Sequence, residues 1–201
     1  EMLSGEYCLK GYRMINGTSN RYSTAFLVLA ACVTLVGACA EGKPVRTVTC
    51  VPFSDVQIAE GLWADRRQAS RETTIPVSFK FCHTTKRIEN FVITAGKKKG
   101  EFTGAHFNDS DLYKVVEGAA YSLKTKPDEK LEKDLDDIIA KIAAAQQSDG
   151  YLDTYFTIDR TDQRFKHIQH NPRHELYCMG HLIEAGAAHY EMTGKKNLLT
   201  V

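Results

Sequence analysis

The sequence predicts a mainly α protein built of antiparallel helical hairpins, and three observations carry that prediction. Leu112, Val115, Val116, Ala119, Ala120 and Leu123 recur at the three- and four-residue spacing that lines one face of a helix. Leu131, Leu135, Ile138, Ile139 and Ile142 repeat the pattern after a break at Pro127 and Asp128, so a short connection folds one helix back on the other. Beyond Asn171 a third helix has two unlike faces, with Leu176, Ile183, Ala187 and Tyr190 on one and His174, Cys178, His181 and Ala185 on the other. An apolar outer seam and a small, polar inner seam suit a toroid of hairpins whose inner helices line a cavity.

The chain has 201 residues, opens on Glu1 and stops at Val201 just after a fresh apolar pair, Leu198 and Leu199. Both ends therefore read as cut from a longer protein. Residues 1–40 read as an export signal with an upstream extension, Met14 being the expected start. Arg21 precedes an apolar run at 25–36, and small residues at 37–40 follow. The run is shorter than the about 20 apolar residues that a bilayer crossing needs. Ala38-Cys39-Ala40 fits an ordinary signal peptidase site. Val36-Gly37-Ala38-Cys39 fits a lipoprotein box and is the preferred reading. It makes Cys39 the lipidated residue and the protein a periplasmic or membrane-anchored one, or a secreted one if the other site is cut. Membrane contact is then expected only through that anchor.

Composition narrows the partners. A net charge of +1 gives no general argument for nucleic acid. The basic run Lys97-Lys98-Lys99 has no interleaved aromatics and reads as a solvated loop. Of six cysteines, Cys8, Cys32 and Cys39 lie in or before the leader, which leaves Cys50, Cys82 and Cys178. Three cysteines without a CxxC pair argue against both a disulfide framework and an all-cysteine zinc site.

Residues 41–60 read as an extended segment, with one strand expected over 43–58, a stretch rich in Val and Thr. Helices then fill 61–201. Trp63, with Arg66 and Arg67, begins the first of them and reads as packing. Asp109 or Ser110 caps the helix at 112–123, and Asp149-Gly150 ends the next one. A loop spans 151–170. Asn171 then caps the last helix, with Pro172 at its first position and Gly194 closing it.

Three groups of residues have the chemistry of a site. His174, Cys178 and His181 share one stripe at i, i+4 and i+7, which leaves three readings open: a metal site, a polar or sugar ligand, or structural histidines. Asp109 and Asp111 flank Ser110, and such carboxylates bind sugar hydroxyls or a cation, or simply complement a helix start. In DGYLDTYF, residues 149–156, Asp149, Tyr151, Asp153 and Tyr155 combine acceptors for hydroxyls with aromatic faces for a sugar ring. Asp149-Gly150 is also an ordinary turn signal.

Together these stretches resemble the N-terminal part of glycoside hydrolase family 127, the β-L-arabinofuranosidases. The matching segments are GLWADR at 61–66, TTIP at 73–76, RIENF at 87–91, FTGAHFNDSDLYKVVEGAAYSL at 102–123, AAAQQSDGYLDTYF at 143–156 and HELYCMGHLIEAGAAHYEMTGK at 174–195. The resemblance implies an incomplete part of a six-hairpin α/α toroid. It also implies retaining hydrolysis of terminal β-L-arabinofuranosides from plant glycans. The family's nucleophile is a cysteine held on zinc by other cysteines and a glutamate, and its acid/base is a glutamate. All of these are expected downstream, so no catalytic group and no metal are expected within this stretch. His174 matches a family residue that hydrogen-bonds the bound arabinose. Asp109, Asp111, Asp149, Tyr151 and His181 complete the expected substrate-binding set. Two alternatives stay open: a non-catalytic carbohydrate-binding protein of the same fold, and a related toroid enzyme acting on unsaturated uronides.

Overall fold

Apolar spacing places the two helices over 112–123 and 131–142 where the sequence predicts them, whereas the stretch from 151 expected as loop holds a short helix, Thr154–Asp159, and a 3-10 turn, Thr161–Gln163. The structure, a computed structural model, describes residues 48–166 and 173–201. The leader, residues 43–47 and the Asn171-Pro172 cap lie outside these. Seven α-helices occur among the described residues: α1 (Leu62–Ala69), α2 (Ile75–Thr84), α3 (Arg87–Thr94), α4 (Asn108–Thr125), α5 (Glu129–Ala145), α6 (Thr154–Asp159) and α7 (Glu175–Thr193). No strand occurs among the described residues. Where a strand is conceivable, residues 48–52 join no ladder, and Phe53–Asp55 forms a 3-10 turn instead. Residues from Val51 to Val201 make up one unit.

A π-helical turn, Ser70–Thr74, carries α1 into α2 without a break. It sits where Pro76 lacks an N–H and its ring crowds the carbonyl four residues earlier, a conflict that a wider turn relieves. Lys86, in the left-handed region at φ 64, then reverses the chain into α3. Three residues, 126–128, join α4 to α5, and the Asp128 carboxylate caps α5 by accepting from the Leu131 N–H at 3.0 Å. That helix ends at Ala145, four residues before Asp149. Gly150, at φ 86, makes the turn that follows.

Most of the set the periodicity names is core, while Val115 and Leu131 are only partly buried against it. Leu112, Val116, Ala119, Ala120 and Leu123 of α4 and Leu135, Ile138, Ile139 and Ile142 of α5 are buried, with Phe91 of α3 and Phe156 of α6 among them. α5 packs more on α3 than on its hairpin partner, while α4 packs most extensively on α7. Small buried residues on the two helices, Ala119 and Ala120 on α4 and Ala185 and Ala188 on α7, let their backbones approach closely.

Three expectations need correction. The apolar face of α7 is not its packing seam: Leu176 is 60% exposed and Ile183 65%, whereas Cys178, Ala185 and Ala188 are buried. Close approach to α4 selects the small face over the bulky one. Trp63 does not pack either, being 69% exposed. The last helix starts at Glu175 rather than at Pro172, with His174 as its N-cap residue at φ 61. None of the described helices is long and apolar enough to cross a membrane.

Candidate functional site

The N-termini of α4, α6 and α7 converge, and free N–H groups at helix starts attract carboxylates. Asp109, expected to cap its own helix, instead reaches α6, and its two oxygens accept from the Thr154 N–H at 2.7 Å and the Thr154 hydroxyl at 2.6 Å. α4 has no side-chain cap; the Ser110 hydroxyl donates to the Phe107 carbonyl. Asp153 caps α6 through Oδ1, which accepts from the Phe156 N–H at 3.1 Å, while its Oδ2 is buried without a partner. Burial pushes the Asp109 carboxyl up to about 6, against the pull of its Thr154 bonds. Burial and the charge of Asp109 push Asp153 up to about 8. The pair therefore favours holding a proton.

A third buried carboxylate, Glu175, accepts from the Tyr151 hydroxyl at 2.6 Å and from the Phe165 N–H at 3.1 Å. Burial and this bond raise the Tyr151 phenol far above its ordinary range. Arg164 lies 4.1 Å above the Tyr151 ring and 3.4 Å from the exposed Asp149 carboxylate. Asp149, Tyr151, Phe165, Glu175, Leu176 and Met179 line a cavity of about 330 Å³. A larger one, about 480 Å³, lies away from this chemistry beside α1, near Arg67 and Arg71.

Next to the smaller cavity stands an aromatic cluster. His174 Nδ1 is 3.0 Å from His106 Nε2. Around the two rings stand Phe107, 5.3 Å from His174, Tyr155, 5.9 Å from His106, and Tyr177, 5.3 Å from His174. Arg173 donates to the Tyr155 hydroxyl at 2.8 Å. Burial, helped by His174 and Arg173, lowers the His106 pKa and keeps that ring neutral at neutral pH. A left-handed backbone at a non-glycine residue is uncommon and clusters at functional sites.

The structure thus gathers His174, Tyr151 and Asp149 at one end of the helices, with Asp109 buried beneath them. It does not bring in Asp111, which pairs with Arg87 at 2.8 Å, or His181, which lies further along α7 beside Glu184 at 2.9 Å. Cys178 is buried too, its Sγ 3.8 Å from the Phe107 carbonyl, so the stripe of three splits into three environments. The site residues His106, Glu175, Arg164 and Arg173 escape a reading based on periodicity because they lie in loops or at a helix edge. Their signal is proximity in sequence to motifs already marked, His106 in FTGAHF and Glu175 beside His174.

Comparison with known proteins defines the class. The family described as "Beta-L-arabinofuranosidase, GH127 catalytic domain" matches residues 55–201, and the chain belongs to it. It is 45% identical over 120 residues to the non-reducing end β-L-arabinofuranosidase of Bifidobacterium longum subsp. longum, an alignment covering 57% of this chain and 18% of that protein. The crystal structure of a GH127 β-L-arabinofuranosidase from Geobacillus stearothermophilus T6 is similar, with a TM-score of 0.70 and 41% identity over 73% of this chain and 24% of that one. A second solved GH127 β-arabinofuranosidase is alike at TM-score 0.70 and 42% identity, covering 75% and 25%. The chain therefore spans about a quarter or less of the length of these relatives. Its helical fold is that of part of their α/α toroid.

The cysteines here do not fit the zinc group that the family resemblance implies. Cys50 is exposed, Cys82 and Cys178 are buried, and no cysteine belongs to a metal-ligating cluster among the described residues. Burial, then the charges of Asp109 and Asp153, raise the Cys178 thiol well above its ordinary range, the opposite of what a thiolate ligand needs.

Proposed function

We propose that this chain is the N-terminal part of the catalytic domain of a glycosidase that removes terminal β-L-arabinofuranosides from plant glycans with retention, and that it supplies sugar-binding rather than bond-breaking groups. The observation that carries the reading is the His174–His106 pair in its aromatic surround, beside a cavity edged by Asp149 and Tyr151, in a chain of this family. Neutral His106 orients the His174 ring through the 3.0 Å contact, which leaves His174 Nε2 to meet a sugar hydroxyl. The rings of Tyr155, Phe107 and Tyr177 offer apolar faces to a sugar ring. Asp149 and Tyr151 belong to the rim and wall of the adjoining cavity. Asp109 holds the site from below through Thr154, and in this reading Asp111 and His181 stand outside the first contacts.

We further propose export through the leader, with Cys39 as lipid anchor. Support comes from the apolar run and the small residues before Cys39. Retention of a Cys39→Ala variant at the membrane would end the anchor reading. The activity is tested on the full-length protein with an aryl β-L-arabinofuranoside, following the anomer first released by proton NMR. The β-anomer is expected first. Binding of arabinosides without turnover would favour the non-catalytic alternative, and turnover of unsaturated uronides alone would favour the other.

A further inference from the structure

Two turns along α4 and α7 from the His174 cluster, three side chains converge that the proposed sugar site does not use. Glu117 of α4 and His181 and Glu184 of α7 each offer one ligand atom, and these atoms all lie within 4.8 Å of one another. The seven residues from His174 to His181 place the group roughly 10 Å along the helix, at about 1.5 Å per residue.

Five features mark it as more than a solvated charge cluster. His181 Nδ1 is shut off from solvent and makes no hydrogen bond, although Glu184 Oε2 stands 2.9 Å from it. The half-buried Glu117 has neither a hydrogen bond nor an ion pair among the described residues. The nearest cation on its own helix turns away: Lys114 gives its amine to the Tyr177 hydroxyl at 2.6 Å. The Tyr177 ring stands edge-on to His181 at 4.6 Å and holds that ring in place. The negative field is felt nearby, since burial and then Glu117, Glu191 and Glu184 raise the Tyr121 phenol. Two carboxylates this close favour a positive partner.

We propose that Glu117, His181 and Glu184 bind a divalent cation that clamps α4 to α7. One imidazole nitrogen and two carboxylate oxygens suit zinc, cobalt or manganese, with water completing the shell. The site is separate from the cysteine–glutamate zinc group of the family resemblance, and it reverses the expectation that this stretch holds no metal.

The test is titration of the purified chain with Co²⁺, followed by calorimetry and by visible absorption, with Zn²⁺ as competitor. One Co²⁺ per chain is expected, with nitrogen and oxygen ligation and no sulfur-to-cobalt charge-transfer band. Glu184→Gln, Glu117→Gln and His181→Asn should each weaken binding by more than about tenfold, and Cys178→Ser should leave it unchanged. Added Co²⁺ should raise the melting temperature of the wild type and of Cys178→Ser, but not of the three ligand variants. Glu184 lies at the exposed rim, so its variant keeps the fold and decides the matter if the other two do not. No binding by the wild type, or equal binding by Glu184→Gln, overturns the proposal.

Discussion

The two ends of α7 handle charge in opposite ways. At its N-terminal end, Asp109, Asp153 and Glu175 are buried, and each is met by N–H or hydroxyl donors rather than by a cation. Just past its C-terminal end, Lys195 bridges Glu132 and Asp136 at 2.7 Å each, in contact with solvent. The second group has the better ion-pair geometry, yet the first is the more consequential. Water screens the lysine network and competes for its partners. Nothing screens the buried carboxylates, so each must be hydrogen-bonded or protonated.

That contrast can be broken at several points. The largest effect is expected from Thr154→Val, which removes a hydroxyl bonded to Asp109 in a closed environment. It should cost about 1.5–3 kcal/mol of stability in urea unfolding, the range for a hydrogen bond to a charged group. A loss below that of an ordinary surface substitution would show that Asp109 is not anchored there.

In the full-length glycosidase proposed above, His174→Ala should lower kcat/KM by roughly five- to 150-fold, the effect of about 1–3 kcal/mol, and leave the melting temperature nearly unchanged. An early-melting variant with normal turnover would instead make His174 a structural residue.

Acidity sharpens the contrast further. Asp153 and Asp109 have folded pKa values raised to about 8 and about 6. A raised carboxyl binds more protons folded than unfolded, so its contribution is complete below about pH 4 and is lost as pH rises through the folded values. Melting temperature should therefore fall between pH 5 and pH 9 on account of this pair. Asp153→Asn keeps a capping side chain and should flatten that fall; an unchanged slope would place the proton elsewhere.

The smallest effect belongs to the exposed end. Lys195→Ala should cost less than about 1 kcal/mol and should cost still less in high salt, as thermal melts at two ionic strengths would reveal.

How much of this the sequence discloses depends on which force decides each feature. α4 and α5 are legible because burial of Leu112, Val116, Leu135 and Ile142 is written as a period of three and four. The face of α7 is misread because its neighbour rewards closeness over bulk, and Ala185 carries less hydrophobic signal than Ile183. The start of α7 is misread because Asn171-Pro172 is a good local opening, whereas the observed start depends on contacts His174 makes with residues 68 positions away. Of the candidate residues, His174, Asp149 and Tyr151 come together, since each sits at an element end. Asp111 and His181 fall away because one helix face faces different neighbours along its length. His106 has no periodic neighbour and becomes visible only through its contact with His174.

The left-handed cap at His174 bears on which sequences this position tolerates. A side chain there costs roughly 1–2 kcal/mol in backbone conformation, a cost glycine avoids and asparagine reduces. A library randomised at this codon and sorted only for folded protein should enrich glycine and asparagine. The same library sorted for arabinoside turnover should return histidine. The distance between those two populations would measure how far selection for ligand chemistry has overridden selection for an easy turn.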